Sequence, residues 1–234
     1  MNPTRGLIAL LVALLALNGC EPKPQPYGAE RQLSWWGPKR QVWAIAPAVN
    51  LSGENEIDPL LQADLVYQQL QSVNGITVVP VNRVAEVYAS LRIEKIESEE
   101  QAAIVCDLLC ADGLVVPTVT AYDPYNPPKV GAALQLFMPH GALSQQAAVD
   151  VRELARQASP GPNDAMPTHG NFVQVVGMFD AANGSVRQAV LDYAAGRNDP
   201  KGPLGSKEYF VSMDRYCGFV YASLIRELIN EAGH

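Results

Sequence analysis

The chain has 234 residues, 48% hydrophobic, 18% charged and 7% aromatic, which is apolar material for one core of ordinary size, with two domains in range. That composition excludes a wholly disordered chain, a collagen-like repeat and a small disulfide scaffold. A formal net charge of −7 makes nucleic acid a poor partner, because its phosphates demand a basic face.

The N-terminus reads as an export signal. Arg5 supplies a positive flank. Leu7 to Leu17 is an aliphatic run, short of the ~20 residues a bilayer span needs and of the right length for the apolar part of a signal peptide. Leu17-Asn18-Gly19-Cys20 resembles the bacterial lipobox, in which the Cys thiol receives a diacylglycerol. Residues 1–19 are therefore expected to be removed and Cys20 to carry the acyl chains (palmitate in kind). The competing reading is a plain secretory peptide or a short buried helix that happens to contain a Cys. At about 0.8 kcal/mol per buried CH₂, more than one acyl chain holds a protein on a membrane without a spanning helix. By resemblance to enterobacterial sorting, Asp after the Cys would favour the inner membrane. Glu21 stands there instead, which favours the outer membrane with the domain facing the periplasm.

Residues 20–41 read as the lipidated Cys and a tether, with Pro22, Pro24 and Pro26 enforcing extended backbone. Fully stretched, the tether reaches at most about 70 Å. Trp35 and Trp36 interrupt its polar run. Either they pack on the edge of the domain or they contact lipid or a protein partner, since indole suits a boundary that is wet on one side.

A single domain is expected over 42–232. Val42 to Val49 is the first strand, turned by Asn50-Leu51-Ser52-Gly53. Asp58 followed by Pro59 marks a helix start, and Ala63, Val66, Tyr67, Leu70 and Val73 fall on one helical face until Asn74-Gly75 stops it. Ile76 to Val81 is a short strand. Asn82 is expected to cap a helix lined by Val84, Val87, Tyr88 and Leu91. Ser98 and Gln101 form a capping box for a helix lined by Ala102, Val105, Cys106 and Leu109, with Gly113 closing the unit. Leu114 to Ala121 and Val130 to Met138 read as a hairpin around a Pro-rich loop, and Pro117 places the first of them near an edge or at a bulge. Gln145 to Ala158 reads as a surface helix, Ser159 to Gly170 as a loop and Phe172 to Phe179 as a strand. Over 185–193 a hairpin partner and a helix compete, and the spacing of Val186, Ala189, Val190 and Tyr193 favours helix. Residues 196–206 read as loop. Tyr209 to Ile229 reads as a long terminal helix burying Phe210, Met213, Cys217, Val220 and Leu224. The sum is an α/β domain of three-layer type: a mixed sheet with helices packed on it and a long C-terminal helix.

Three stretches carry a resemblance: Val42 to Gly53, Val78 to Val84, and Ala111 to Thr120. Together they resemble a group of envelope lipoproteins that includes curli-type secretion lipoproteins and the outer-membrane activators of penicillin-binding proteins. The periplasmic N-terminal domain of the Tol-system propeller protein is similar. The resemblance covers about residues 42–138. It implies a mixed-sheet domain used for protein contacts in the envelope, and it carries no catalytic residues.

Signals for chemistry are sparse. The chain has no Gly-x-Ser-x-Gly, Ser-x-x-Lys, His-Glu-x-x-His or phosphate-loop motif, so neither catalytic residues nor a cofactor or metal is assigned. His140, His169 and His234 fall in expected loops or at the terminus. Glu54, Glu56 and Asp58 alternate along a polar turn, where a cation site competes with a solvated loop ending in a cap. Asp107 and Asp112 read as helix-end charges. Once Cys20 is acylated, Cys106, Cys110 and Cys217 remain, as small buried residues, as one disulfide (Cys110 or Cys106 with Cys217) or, least favoured, as a zinc site. Asn50-Leu51-Ser52-Gly53 ends a strand, where ligands often bind, and also suits a local turn. Tyr122 and Tyr125, on the hairpin loop, are candidate partner contacts beside Trp35 and Trp36.

The leading expectation is a membrane-anchored, non-enzymatic adaptor or assembly factor whose partner is an unidentified envelope protein. The alternatives are a subunit of an oligomeric outer-membrane secretion complex and an envelope hydrolase with an unrecognised site.

Overall fold

The computed structural model describes residues 33–37, 39–139, 172–195, 197 and 203–232. Cys20, the three histidines, the expected helix over 145–158 and the loop over 159–170 lie outside the described residues.

Twelve elements follow in chain order: β1 (Gln41–Ile45), β2 (Val49–Asn50), α1 (Pro59–Leu70), β3 (Ile76–Val78), α2 (Val81–Leu91), α3 (Glu99–Leu109), β4 (Gly113–Asp123), β5 (Lys129–Phe137), β6 (Phe172–Asp180), α4 (Gly184–Ala195), a 3₁₀ turn (Gly205–Phe210) and α5 (Met213–Ala232). They form one mixed sheet in the order β3-β1-β4-β5-β6, with β2 also paired to β4. β1 runs parallel to β3 and β4, while β4, β5 and β6 are antiparallel neighbours. The expected α/β class therefore holds, with the mixed sheet, the helices on it and the long terminal helix.

Several local expectations hold for the reasons given. Asp58 Oδ1 accepts the N–H groups of Leu60 and Leu61, and Pro59 opens α1. Asn183 Oδ1 accepts from Ser185 N, so Asn183-Gly184 begins a helix and does not turn a hairpin.

Others need correction. The first strand is broken at Pro47: β1 pairs with Gly113–Val115 of β4 and β2 with Thr118–Val119. Pro117 is not on an edge strand. β4 is flanked on both sides, and the carbonyls of Val115 and Val119 face β1 and β2, bonding Ala46 N and Leu51 N. Backbone direction alternates along a strand, so Pro117 presents its missing N–H to the gap left by Pro47. Asn82 is inside α2, whose N-cap is Pro80 with no side-chain cap. Ser98 Oγ does accept Gln101 N, but Gln101 Oε1 takes the N–H of Glu97 and not that of Ser98. α3 is closed by Cys110 in the left-handed conformation, and Gly113 begins β4. The terminal helix begins at Met213, because Tyr209 and Phe210 belong to the 3₁₀ turn.

The sheet has two unequal faces. Trp43, Ile45, Val115, Val130, Leu134, Leu136, Val173 and Val175 point to one, under α1, α4 and α5. Ala44, Ala46, Leu114 and Phe137 point to the other, under α2 and α3 through Val84, Tyr88, Ala102, Val105 and Cys106. The large core is tied by buried polar pairs. Tyr221 Oη donates to Gln62 Oε1 at 2.8 Å and Tyr193 Oη to Gln69 Oε1 at 3.0 Å. Gln62 and Gln69 are seven residues apart, on the same stripe of α1. Glycine is required where α5 crosses β6: a Cβ on Gly177 would lie 2.5 Å from the Phe179 ring and 3.2 Å from Leu224.

Candidate functional site

β4, β5 and β6 continue past the end of the α2–α3 layer. Their side chains on that face, Val116, Thr118, Thr120, Ala133, Gln135, Gln174, Val176 and Met178, are set by the period-two alternation that sends their neighbours into the large core. Val116 packs at the margin of the smaller core and Ala133 is buried, while Thr120, Gln135, Val176 and Met178 are exposed. Val176 and Met178 are each 56% exposed, an apolar pair on an edge strand. Beside them lies an open groove of about 610 Å³, walled by Val49 and Leu51 on one side and Lys95, Ile96 and Glu97 on the other. Its floor carries one polar tie, Gln135 Nε2 to Gln174 Oε1 at 2.6 Å, across β5 and β6. Lys95 and Glu97 pair with each other at 3.3 Å. The floor is otherwise apolar or hydroxylic, formed by Val116, Thr118, Thr120, Ala133 and Val176.

The residues singled out beforehand are dispersed. Trp35 is not available to a partner: it is buried and meets Trp43 edge to face at 5.3 Å. Trp36, the next residue, is 73% exposed. Tyr122 belongs to β4, paired with Val130, and not to the hairpin loop; it packs against the large core, and burial, then Cys217, push its phenol up to about 12. Tyr125 is 81% exposed and keeps only a backbone tie, its N–H donating to Asp123 Oδ1. Of the four candidates, Trp36 and Tyr125 are exposed for contact.

The Cys110–Cys217 disulfide is absent, and the three described cysteines are free. Cys217 is in the large core on one face of the sheet, while Cys106 is in the smaller core on the other and Cys110 is exposed at the end of α3. The sheet lies between the two cores. Burial pushes the thiols of Cys106 and Cys217 up to about 12, so both are protonated and poor nucleophiles. Desolvation also raises the Tyr88 phenol, beside Cys106, which keeps that pair neutral.

The polar turn after β2 satisfies itself. Ser52 N and Oγ both donate to Asn50 Oδ1, Asn50 Nδ2 donates to the Glu54 carbonyl, and Glu54 N donates to Ser52 Oγ. Among the described residues no group of three or more His, Cys, Asp and Glu is placed to hold a metal ion. Asp112 has a role that the sequence reading missed. Its Oδ2 accepts Val42 N at 2.8 Å, and its own N–H donates to the Val42 carbonyl at 2.7 Å, which clamps the start of β1 to β4. Gln62 and Gln69 were missed as well, and their signal is two glutamines seven apart on an otherwise apolar helical stripe.

No described helix is long and apolar enough to cross a membrane. No family model matches the chain, and no curated protein matches it in sequence. Solved structures with a similar arrangement include lipoprotein GNA1162 from Neisseria meningitidis, at 18% identity over 42% of this chain and 69% of that one, with a TM-score of 0.33. The LpoB C-terminal domain from Salmonella enterica is similar at 10% identity, over 43% of this chain and 73% of that one, with a TM-score of 0.34. PelC from Paraburkholderia phytofirmans, solved as a dodecamer, is similar at 8% identity, over 85% of this chain and 91% of that one, with a TM-score of 0.36. Likenesses at these identities and scores bear on neither activity nor partners.

Proposed function

We propose that the protein is a lipid-anchored envelope lipoprotein, attached through Cys20, that works as a non-enzymatic adaptor or assembly factor for envelope machinery. The observation that carries this reading is the half of the sheet that no described helix covers. It presents Val176, Met178, Leu51 and Ile96 around a groove with no convergent acid, base or nucleophile among its described residues. An apolar surface of that kind on a soluble domain marks a contact surface. Anchoring supports the same reading, because a domain confined near membrane-bound partners needs only modest affinity to engage them. The missing Asp after Cys20 favours the outer membrane, with the domain on the periplasmic side.

The test is site-specific photocross-linking in intact cells, with p-benzoylphenylalanine in place of Val176 and, as control, in place of exposed Arg83 on α2. The expected result is one dominant adduct with an envelope protein from position 176 and none from position 83. Identical adducts from both positions, or adducts with cytosolic proteins alone, overturn the proposal. Incorporation of labelled palmitate, lost in Cys20→Ala, tests the anchor separately.

A further inference from the structure

The segment leading into the domain is divided by the fold into a fixed part and a presented part. Trp35 N donates to the Asn74 carbonyl at 2.8 Å, and Asn74 N donates to the Leu33 carbonyl at 2.8 Å, so Leu33–Trp35 is strapped to the sheet beyond β3. The Trp35 indole fills the edge of the large core. Gly37 then bends the chain back over that ring: a Cβ there would sit 2.2 Å from Trp35 Nε1, so no larger residue fits without a shift. Successive side chains of an extended strap point to opposite sides, which turns Trp36 outward as Trp35 turns inward.

Trp36 is the most exposed of the three tryptophans, at 73%, and Lys39 and Arg40, both exposed, follow within four residues. Neither cation has an ion-pair partner among the described residues. From Leu33 to Val42 the sequence holds these two cations and no acid, in a chain whose formal net charge is −7. A small cationic patch with a protruding indole thus stands where the chain leaves for Cys20. Measured from Leu33, the remaining tether reaches at most roughly 40 Å.

We propose that this corner docks on an anionic lipid surface, with Trp36 at the depth of the headgroups and Lys39 and Arg40 against lipid phosphates. Indole is favoured at that depth because its ring is apolar and its N–H polar, and a juxtamembrane cation gains from the surface potential of anionic lipid. The patch lies where the chain runs back to Cys20, so the acyl anchor itself would hold this corner against the bilayer, which selects lipid over a second copy as the occupant. Docking orients the domain: the β3 edge of the sheet faces the membrane, and the β6 edge, with Val176 and Met178, faces away. The inference rests on the lipid-anchor reading.

The test uses the mature chain as processed in the cell and purified in detergent, reconstituted in vesicles of phosphatidylethanolamine and phosphatidylglycerol with brominated acyl chains. Bromine quenches indole only at short range, and Trp35 and Trp43 are buried in the protein. The expected result is quenching of up to about a third of the emission. It should vanish in Trp36→Phe, and it should fall at least twofold in Lys39→Gln/Arg40→Gln or when phosphatidylcholine replaces phosphatidylglycerol. Co-flotation with vesicles and no quenching overturns the docking and leaves the anchor standing. Failure to co-float overturns the anchor, and the docking with it. Shielding of Trp36 from aqueous iodide without bromine quenching means that a second copy covers the patch, which also overturns the lipid assignment.

Discussion

On the face carrying Trp43, Val115, Leu134 and Val175, the helices α1, α4 and α5 cover the sheet from β1 to β6. On the opposite face the smaller core under α2 and α3 holds Leu114 and Phe137, with Val116 and Phe172 packed at its margin. Both faces are built from the same strands, and alternate residues of one strand serve both. The covered face holds large, fully buried side chains such as Trp43, Tyr216, Tyr221 and Leu224. The half that no described helix covers holds Thr118, Thr120, Gln135 and Gln174 interleaved with Val176 and Met178. The covered face supplies stability, and the half that no described helix covers is where the proposed partner would bind. That division is broken if substitutions on the two faces cost the same.

The largest effect is expected on the covered face. Leu224→Ala removes a fully buried side chain from α5 where it crosses β6, and should cost about 3 kcal/mol in urea unfolding. Next comes the polar tie in that core. Tyr221→Phe leaves the buried Gln62 oxygen without its donor and should cost about 1–2 kcal/mol. Adding Gln62→Met to Tyr221→Phe should cost less than the sum of the single changes, since the two groups serve each other. On the open face Val176→Ser should shift stability by no more than about 0.5 kcal/mol. It should nonetheless abolish the photocross-links made from neighbouring positions such as Met178.

The smallest effect concerns pH. Desolvation, and then the like charge of Glu231, raise the Glu227 carboxyl above its ordinary value of 4.5. The folded state therefore holds that proton more tightly than the unfolded state does. This contribution to stability is present at low pH and lost as pH rises through the raised value. Glu227→Gln should flatten that part of the pH–stability curve, with the variant gaining on the wild type near pH 7 and not near pH 3. Urea midpoints measured across that range check the sign.

Local patterns were legible where the physics is local. The Asp58-Pro59 start, the apolar stripes of α1 to α3, the β4–β5 pairing and the helix over 184–195 follow from caps, spacing and turn residues, each read within a few positions. Small local shifts occur at the α2 and α3 caps and at the start of α5, and the larger errors lie where a distant partner decided. Pro117 signals an edge strand until Pro47 is seen leaving a gap opposite it. Trp35 and Trp36 are chemically identical and adjacent, and only the strap to Asn74 buries one and exposes the other. Cys110 and Cys217 could pair only if the terminal helix packed beside α3, yet the sheet stands between them. The open half of the sheet had no sequence signal at all, because interleaved Thr, Gln and Val on β4 to β6 read the same whether or not a helix lies over them.

What the sequence determined by itself is the element types and the α/β class, since hydrophobic period and capping chemistry act over one or two turns of chain. Which face is sealed, which indole is presented and which thiols are out of reach was decided only by the tertiary structure. Those properties depend on how much of the sheet the α2–α3 layer spans, and that length is set by the packing of segments far apart in the chain.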